Sequence, residues 1–252
     1  MITGLVIGAM LCLIRVSAFI AFFPTPAGRT IPATVRIGLA VAMTACIAPM
    51  YAAQFMPAAS TADGLGWLML ALLSAQELLY GAGLAWMLGL CLVPVRIAGA
   101  FVAQEMGLTL GGLTSPQDQQ PSNVVTAVFE AIAGIIFFSL NLHHIALGAI
   151  GTSFAKGPAS GFSMMPAFSD LMDQVSRVQD SGLLIVAPIA IMLFLFLIAL
   201  LVTVRSAPQF NFFTLGMPMR VAVGSIGLLL FLPQLTSSMA IYMRQIAYFG
   251  VF

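Results

Sequence analysis

Charge is what this sequence lacks most. Of its 252 residues only 7% are Asp, Glu, Lys or Arg, 61% are hydrophobic, and the mean hydropathy is +1.07. A soluble domain carries about 25% charged residues. A chain this poor in charge cannot cover a water-facing surface, so it belongs in a bilayer or deep inside an assembly. Lysine occurs once, as Lys156, and the net charge is +1, which leaves no footprint for nucleic acid. The cysteines number three, Cys12, Cys46 and Cys91, all within apolar runs. An odd, apolar set argues against a disulfide framework and against a metal site. The only histidines, His143 and His144, are adjacent and lack the His-Glu-x-x-His spacing of a zinc protease. Gly151 and Ser153 faintly suggest a Gly-x-Ser element, but the histidines lie on the same helix, so no paired-helix dyad forms. P-loop and dinucleotide fingerprints are absent. No nucleophile–base–orienter set is visible, so no enzyme, cofactor or metal is expected. Residues 1–23 lack a basic leading region and a small-x-small cleavage pattern, and so do not read as a cleaved signal peptide. Nowhere does the alternation of a membrane barrel occur.

What the chain has instead is apolar runs of bilayer length, roughly 20 residues each. Six are predicted: residues 1–23, interrupted by Arg15; 38–56; 64–95, with Glu77 inside; 124–154; 182–204; and 221–242. The third is longer than one span needs, so it is tilted, broken or partly outside lipid. The expectation is an all-α membrane protein of about six long hydrophobic helices, broken by a Gly/Pro loop in the middle and closed by a C-terminal hairpin. Two parts suggest themselves, residues 1–180 and residues 181–252, with Lys156 to Ser181 as a polar linker. Alternating the loops puts Arg29, Arg36, Arg96, Arg205 and Arg220 on one side and Lys156, Arg177 and Arg244 on the other. The positive-inside rule makes the first side cytoplasmic.

Residues 99–125 are the most informative stretch. Gly99, Ala103, Gly107 and Gly111 recur every four residues, a small-residue face that admits close backbone approach. Gly111, Gly112, Thr114, Ser115 and Pro116 then stop the helix, and a polar run follows. Irregular backbone among membrane helices is tolerated where protein covers it or where it lines a watery cavity. The stretch is therefore a connecting loop or a pore-lining segment. The 16 methionines are flexible, polarizable side chains, suited to gap-filling or to surfaces that adapt.

Two further patterns stand out. Glu130, Gly134, Phe137, Asn141, His144, Gly148 and Gly151 step by four and three, and so share one face if their helix is continuous. Gly81, Ala85 and Gly89 repeat the pattern on the third span. Both read as packing faces, toward another subunit or within the chain. Glu77 and Arg96 read as buried charges, paired with opposite charges on neighbouring chains or, for Glu77, acting in proton relay. A solute carrier using Glu77 or Glu130 for coupling is the competing reading.

In their order and spacing these residues resemble the FliR family of flagellar biosynthetic membrane proteins. The resemblance rests on Arg15, Pro24, Pro32 and Arg36; on Glu77, Gly81 and Gly83; on Gly99 through Gln104, Glu105, Met106 and Gly107; on His143, His144, Ser153, Phe154 and Pro158; and on Pro208, Phe210, Gly216 and Pro218. The family often has Asp-Pro in its central loop, where this chain has Ser115 and Pro116. The resemblance implies a subunit of the type III export gate in the bacterial inner membrane, with FliP, FliQ, FlhB and FlhA as partners and unfolded flagellar proteins as cargo. It implies a FliP-like part over residues 1–180, a FliQ-like hairpin over 181–252, and a pore plug at about 106–125. Within the plug, Gly107, Gly111 and Gly112 would give mobility, and Met106, Leu113 and Pro116 apolar bulk. Gly81, Ala85, Gly89, Gly99, Ala103, Glu130, Gly134, Asn141, His144 and Gly148 would pack on neighbouring subunits.

Overall fold

The computed structural model describes residues 2–24, 31–51, 66–108, 124–155, 168–206 and 216–249, and everything below concerns these. They form eight α-helices and no strand: α1 (Ile2–Phe22), α2 (Ala33–Tyr51), α3 (Gly66–Gly89), α4 (Val93–Glu105), α5 (Val124–Ser139), α6 (Leu142–Ala155), α7 (Phe168–Ser206) and α8 (Met217–Phe249). Five of them are long and apolar enough to cross a membrane, and α5 with α6 supplies a sixth span if the bent pair is taken as one. The all-α membrane class follows from these helices.

The breaks have local causes. The long third run ends as a helix at Gly89, turns through Leu90 to Leu92, and restarts at Val93 with Pro94 in the first turn. Proline is welcome there because the first amides of a helix have no intrahelical acceptor. So the third run is broken rather than merely tilted. The fourth run is also broken: α5 and α6 meet at 65°. Asn141, at the junction, adopts φ 55°, a left-handed conformation that Asn tolerates better than most residues.

Further along, the polar linker expected from Lys156 to Ser181 is helix from Phe168 onward, and its first part, residues 156–167, lies outside the described residues. α7 begins at Phe168 and runs unbroken for 39 residues. Asp170, Asp173, Arg177 and Asp180 recur at spacings of three and four, so polarity there has helical period. The division at residue 180 falls inside this helix. At 1.5 Å per residue α7 is about 58 Å long, roughly twice the hydrocarbon thickness of a bilayer.

Packing gathers the helices around two cores. One is built by α4, α5, α7 and α8, with Val95, Val102, Phe129, Val186, Ile189 and Met239 among its buried residues. The other joins α1, α3 and α6, with Cys12, Val16, Ala85, Ile150 and Phe154 buried and α2 residues against it. Phe23 packs against both. Its ring lies 5.4 Å from that of Phe19 and 6.1 Å from that of Phe137, so a short aromatic chain bridges the seam. Large apolar side chains elsewhere face outward, among them Leu184, Phe194, Leu201 and Leu229. Such a surface is stable only against lipid or protein partners.

Candidate functional site

The second core holds a buried polar centre. Arg15 of α1 is 2% exposed and Glu77 of α3 is 1% exposed. The guanidinium grips the carboxylate in a fork: Nη2 donates to Glu77 Oε1 at 2.9 Å and Nε donates to Oε2. Nη1 donates to both the carbonyl oxygen and Oγ of Ser153 on α6, each at 2.9 Å. The Arg15 guanidinium carbon also lies 4.4 Å from the centroid of the Phe154 ring and 5.3 Å from that of Tyr80. Charge, hydrogen bonds and ring faces together satisfy a cation that lipid would reject.

Gly81 makes this geometry possible. It lies one turn beyond Glu77, and a Cβ there would sit 2.2 Å from the Arg15 carbonyl oxygen. Only glycine lets α1 and α3 approach this closely. Ala85 is fully buried in the same seam, and a Cβ on Gly89 would strike the Pro24 ring at 2.8 Å. The face of Gly81, Ala85 and Gly89 is therefore closed by α1 and its continuation within the chain, one of the two readings that the sequence left open. The same holds for Gly99 and Ala103. A Cβ on Gly99 would sit 3.0 Å from Thr126 Cα, and Ala103 is fully buried.

The buried charges are likewise paired at home. Glu77 takes Arg15, and Arg96 Nε lies 2.8 Å from Glu130 Oε1, joining α4 to α5 at a half-exposed position. Sequence reading expected their partners on other chains. It noted Arg15 as an interruption of the first span and as part of the family resemblance but did not pair it with Glu77, although one basic and one acidic residue in two apolar spans was the available signal. Both carboxylates that a coupling carrier would use are engaged with arginines.

The bend divides the long stripe. Gly134 and Phe137 on α5 are buried within the chain, whereas Asn141, His144 and Gly148 are exposed. A Cβ on Gly148 or Gly151 would meet nothing within 4 Å. The continuous face expected across residues 130–151 does not exist, because the left-handed Asn141 redirects the second half. That second half is the part of the predicted packing surface left open.

A model of the bacterial export proteins, family 1, matches residues 6–246, a range that takes in both cores and the polar centre. This chain belongs to that family. It is similar to the flagellar biosynthetic protein FliR of Escherichia coli (strain K12), with 28% identity over 214 residues, covering 84% of this chain and 79% of the relative. The FliR of Bacillus subtilis (strain 168) is also 28% identical, covering 87% of this chain and 84% of its own length. The Yop proteins translocation protein T of Yersinia pestis is 27% identical over 174 residues, covering 67% of this chain and 66% of the relative.

Within this family member, the expected plug lies mostly outside the described residues: Gly111, Gly112, Leu113, Thr114, Ser115 and Pro116 all do. Its root is described. Gly107 has φ 77°, which ends α4 in a conformation natural to glycine. Met106 is 2% exposed and points at Gly224 of α8, so its bulk fills the subunit's own core rather than open space.

Proposed function

We propose that this chain is an integral subunit of the flagellar type III export gate, occluding and opening a channel for unfolded proteins across the bacterial inner membrane. The observation that carries this reading is the family match along 6–246, with flagellar relatives aligned over most of the chain. The outward apolar surfaces of the long helices and the open face at Asn141, His144 and Gly148 support a place within a larger membrane assembly. FliP, FliQ, FlhB and FlhA are the proposed partners. The chain would pack a FliP-like part and a FliQ-like hairpin, divided near residue 180, and would plug the pore with residues of about 106–125. Its work is occlusion and release, with no covalent step and no cofactor. A dry, apolar constriction blocks ions yet deforms around a polypeptide.

The test is a deletion of residues 111–120, expressed with the partner proteins. Ion conductance of the membrane and export of a flagellar hook-type substrate are recorded together. A leaky membrane with an assembled complex is expected. Unchanged conductance and export would reduce the segment to a connecting loop.

A further inference from the structure

The C-terminal hairpin carries positive charge with no acid of its own to balance it. Residues 182–252 contain Arg205, Arg220 and Arg244 and neither Asp nor Glu. Arg220 and Arg244 stand near the two ends of the apolar stretch of α8, Met217–Gln245, and no charged residue lies between them. At 1.5 Å per residue they are about 36 Å apart, more than the roughly 30 Å of a bilayer's hydrocarbon core and less than the roughly 40–45 Å that includes both headgroup layers. Where α8 crosses a bilayer, each arginine therefore reaches headgroup level. Arg244 is exposed, and among the described residues no carboxylate pairs with it.

Beside Arg244 the outward face of α8 is grooved. Ser237, Ala240, Ile241, Arg244 and Gln245 line a cavity of about 530 Å³. Their spacing of three and four makes one stripe along the helix, while Leu235, Met239 and Met243 are buried within the subunit. Polarity is unevenly spread along the groove. Arg244 and Gln245 bring guanidinium and carboxamide donors to one end. Ile241 and the small Ala240 line the middle. At the far end the Ser237 hydroxyl proton is already given to the Gln234 carbonyl oxygen at 2.8 Å.

We propose that this groove binds an anionic phospholipid, with the phosphate on Arg244 and Gln245 and the start of an acyl chain along Ile241 and Ala240 toward Ser237. Charge selects the head: the guanidinium fork matches phosphate oxygens, and a hairpin without carboxylates offers nothing to a cation. Polarity and size select the chain. The volume falls in the range of roughly 300–1,000 Å³ typical of sites for whole small molecules, and a bare phosphate at Arg244 would leave the apolar middle uncovered. An anionic phospholipid presents both parts at the depth where Arg244 stands. The site depends on α8 crossing a bilayer and not on any role of the central loop.

The experiment uses the full chain co-purified with its partner proteins. The probe is phosphatidylglycerol carrying a photoactivatable diazirine near the head of one acyl chain, and labelled peptides are mapped by mass spectrometry. Labelling within residues 237–245 is expected. Excess unlabelled phosphatidylglycerol should reduce it at least tenfold, and equal amounts of phosphatidylcholine or inorganic phosphate should leave it in place. Arg244→Gln is expected to lower this labelling about tenfold, and Arg244→Lys to retain part of it. Ser237→Phe, which fills the far end and keeps the cation, should lower it several-fold. Both positions are exposed, and labelling is normalised to the intact complex recovered. Competition by phosphatidylcholine as strong as by phosphatidylglycerol would make the groove a general lipid contact, and full competition by inorganic phosphate would make it an ion site. Absence of label in the wild-type complex, or loss of partner subunits in Arg244→Gln, would assign the groove to a protein neighbour. Unchanged labelling in Arg244→Gln would remove the arginine from the site. Each of these results overturns the proposal.

Discussion

Arg15 and Glu77 lie 62 residues apart in sequence and form a buried, forked ion pair between two apolar helices, with Ser153 of a third helix completing the arginine's hydrogen bonds. Removing one partner leaves a charge stranded where neither water nor lipid can solvate it. Loss of one member of a buried pair costs about 3–5 kcal/mol, whereas replacing both with apolar residues is often neutral. Arg15→Leu and Glu77→Leu alone are therefore expected to abolish accumulation of the subunit in membranes, and the double substitution to restore most of it. Immunodetection in membrane fractions checks this. A proton-relay role for Glu77 predicts the opposite ordering for function: the double variant would accumulate and fail to export.

The pair of Arg96 and Glu130 sits in a wetter place, with side chains 39% and 18% exposed. Water screens such a pair and limits it to about 1 kcal/mol or less. Single neutral substitutions, Arg96→Gln or Glu130→Gln, are expected to lower the detergent-solubilised melting temperature by only a few degrees. The exchange Arg96→Glu with Glu130→Arg should recover that loss. A large loss that the exchange does not repair would mean that one of these residues serves a contact outside this pair.

The spans were legible because lipid length imposes long apolar runs, and the described helices fall on all six. Their partners were not. A helix that is apolar all round has no preferred face to read, so Gly81, Ala85 and Gly89 announced a close approach without naming α1 as its object. Arg15 and Glu77 were each visible, but nothing local to either encodes a contact across 62 positions. The bend in the fourth run was missed for a different reason. Residues 139–144, Ser-Leu-Asn-Leu-His-His, contain neither Gly nor Pro, and the turn rests on one Asn in a left-handed conformation. The start of α7 was misplaced because its polar residues hid a helical spacing.

That Asn141 conformation is itself testable. A left-handed backbone costs an ordinary residue about 1–2 kcal/mol, and a β-branched one most of all, while glycine adopts it freely. Asn141→Gly is expected to leave thermal stability and export near wild type. Asn141→Val should lower both, by straightening or straining the 65° bend. Equal behaviour of the two variants would show that the bend is held by packing alone.

Two glycines separate packing inside the subunit from packing outside it. At Gly81 a side chain would meet the backbone oxygen of Arg15 at 2.2 Å, and a backbone cannot swing aside as a flexible side chain does. At Gly148 a side chain would meet nothing within 4 Å. Gly81→Ala is therefore expected to prise α1 from α3 and to destabilise the isolated subunit by about 1–3 kcal/mol, the usual range for overpacking. Gly148→Ala should stabilise α6 slightly, since alanine is about 1 kcal/mol better than glycine inside a helix. A bulky Gly148→Leu then distinguishes the surroundings of the open face. Against lipid it is harmless, and both subunit stability and assembly persist. Against a closely packed partner helix, the isolated subunit keeps its melting temperature while the complex recovered by affinity purification falls several-fold. The assembly reading requires the second result. Full recovery of the complex with Gly148→Leu would leave Asn141, His144 and Gly148 facing lipid and remove them from the interface.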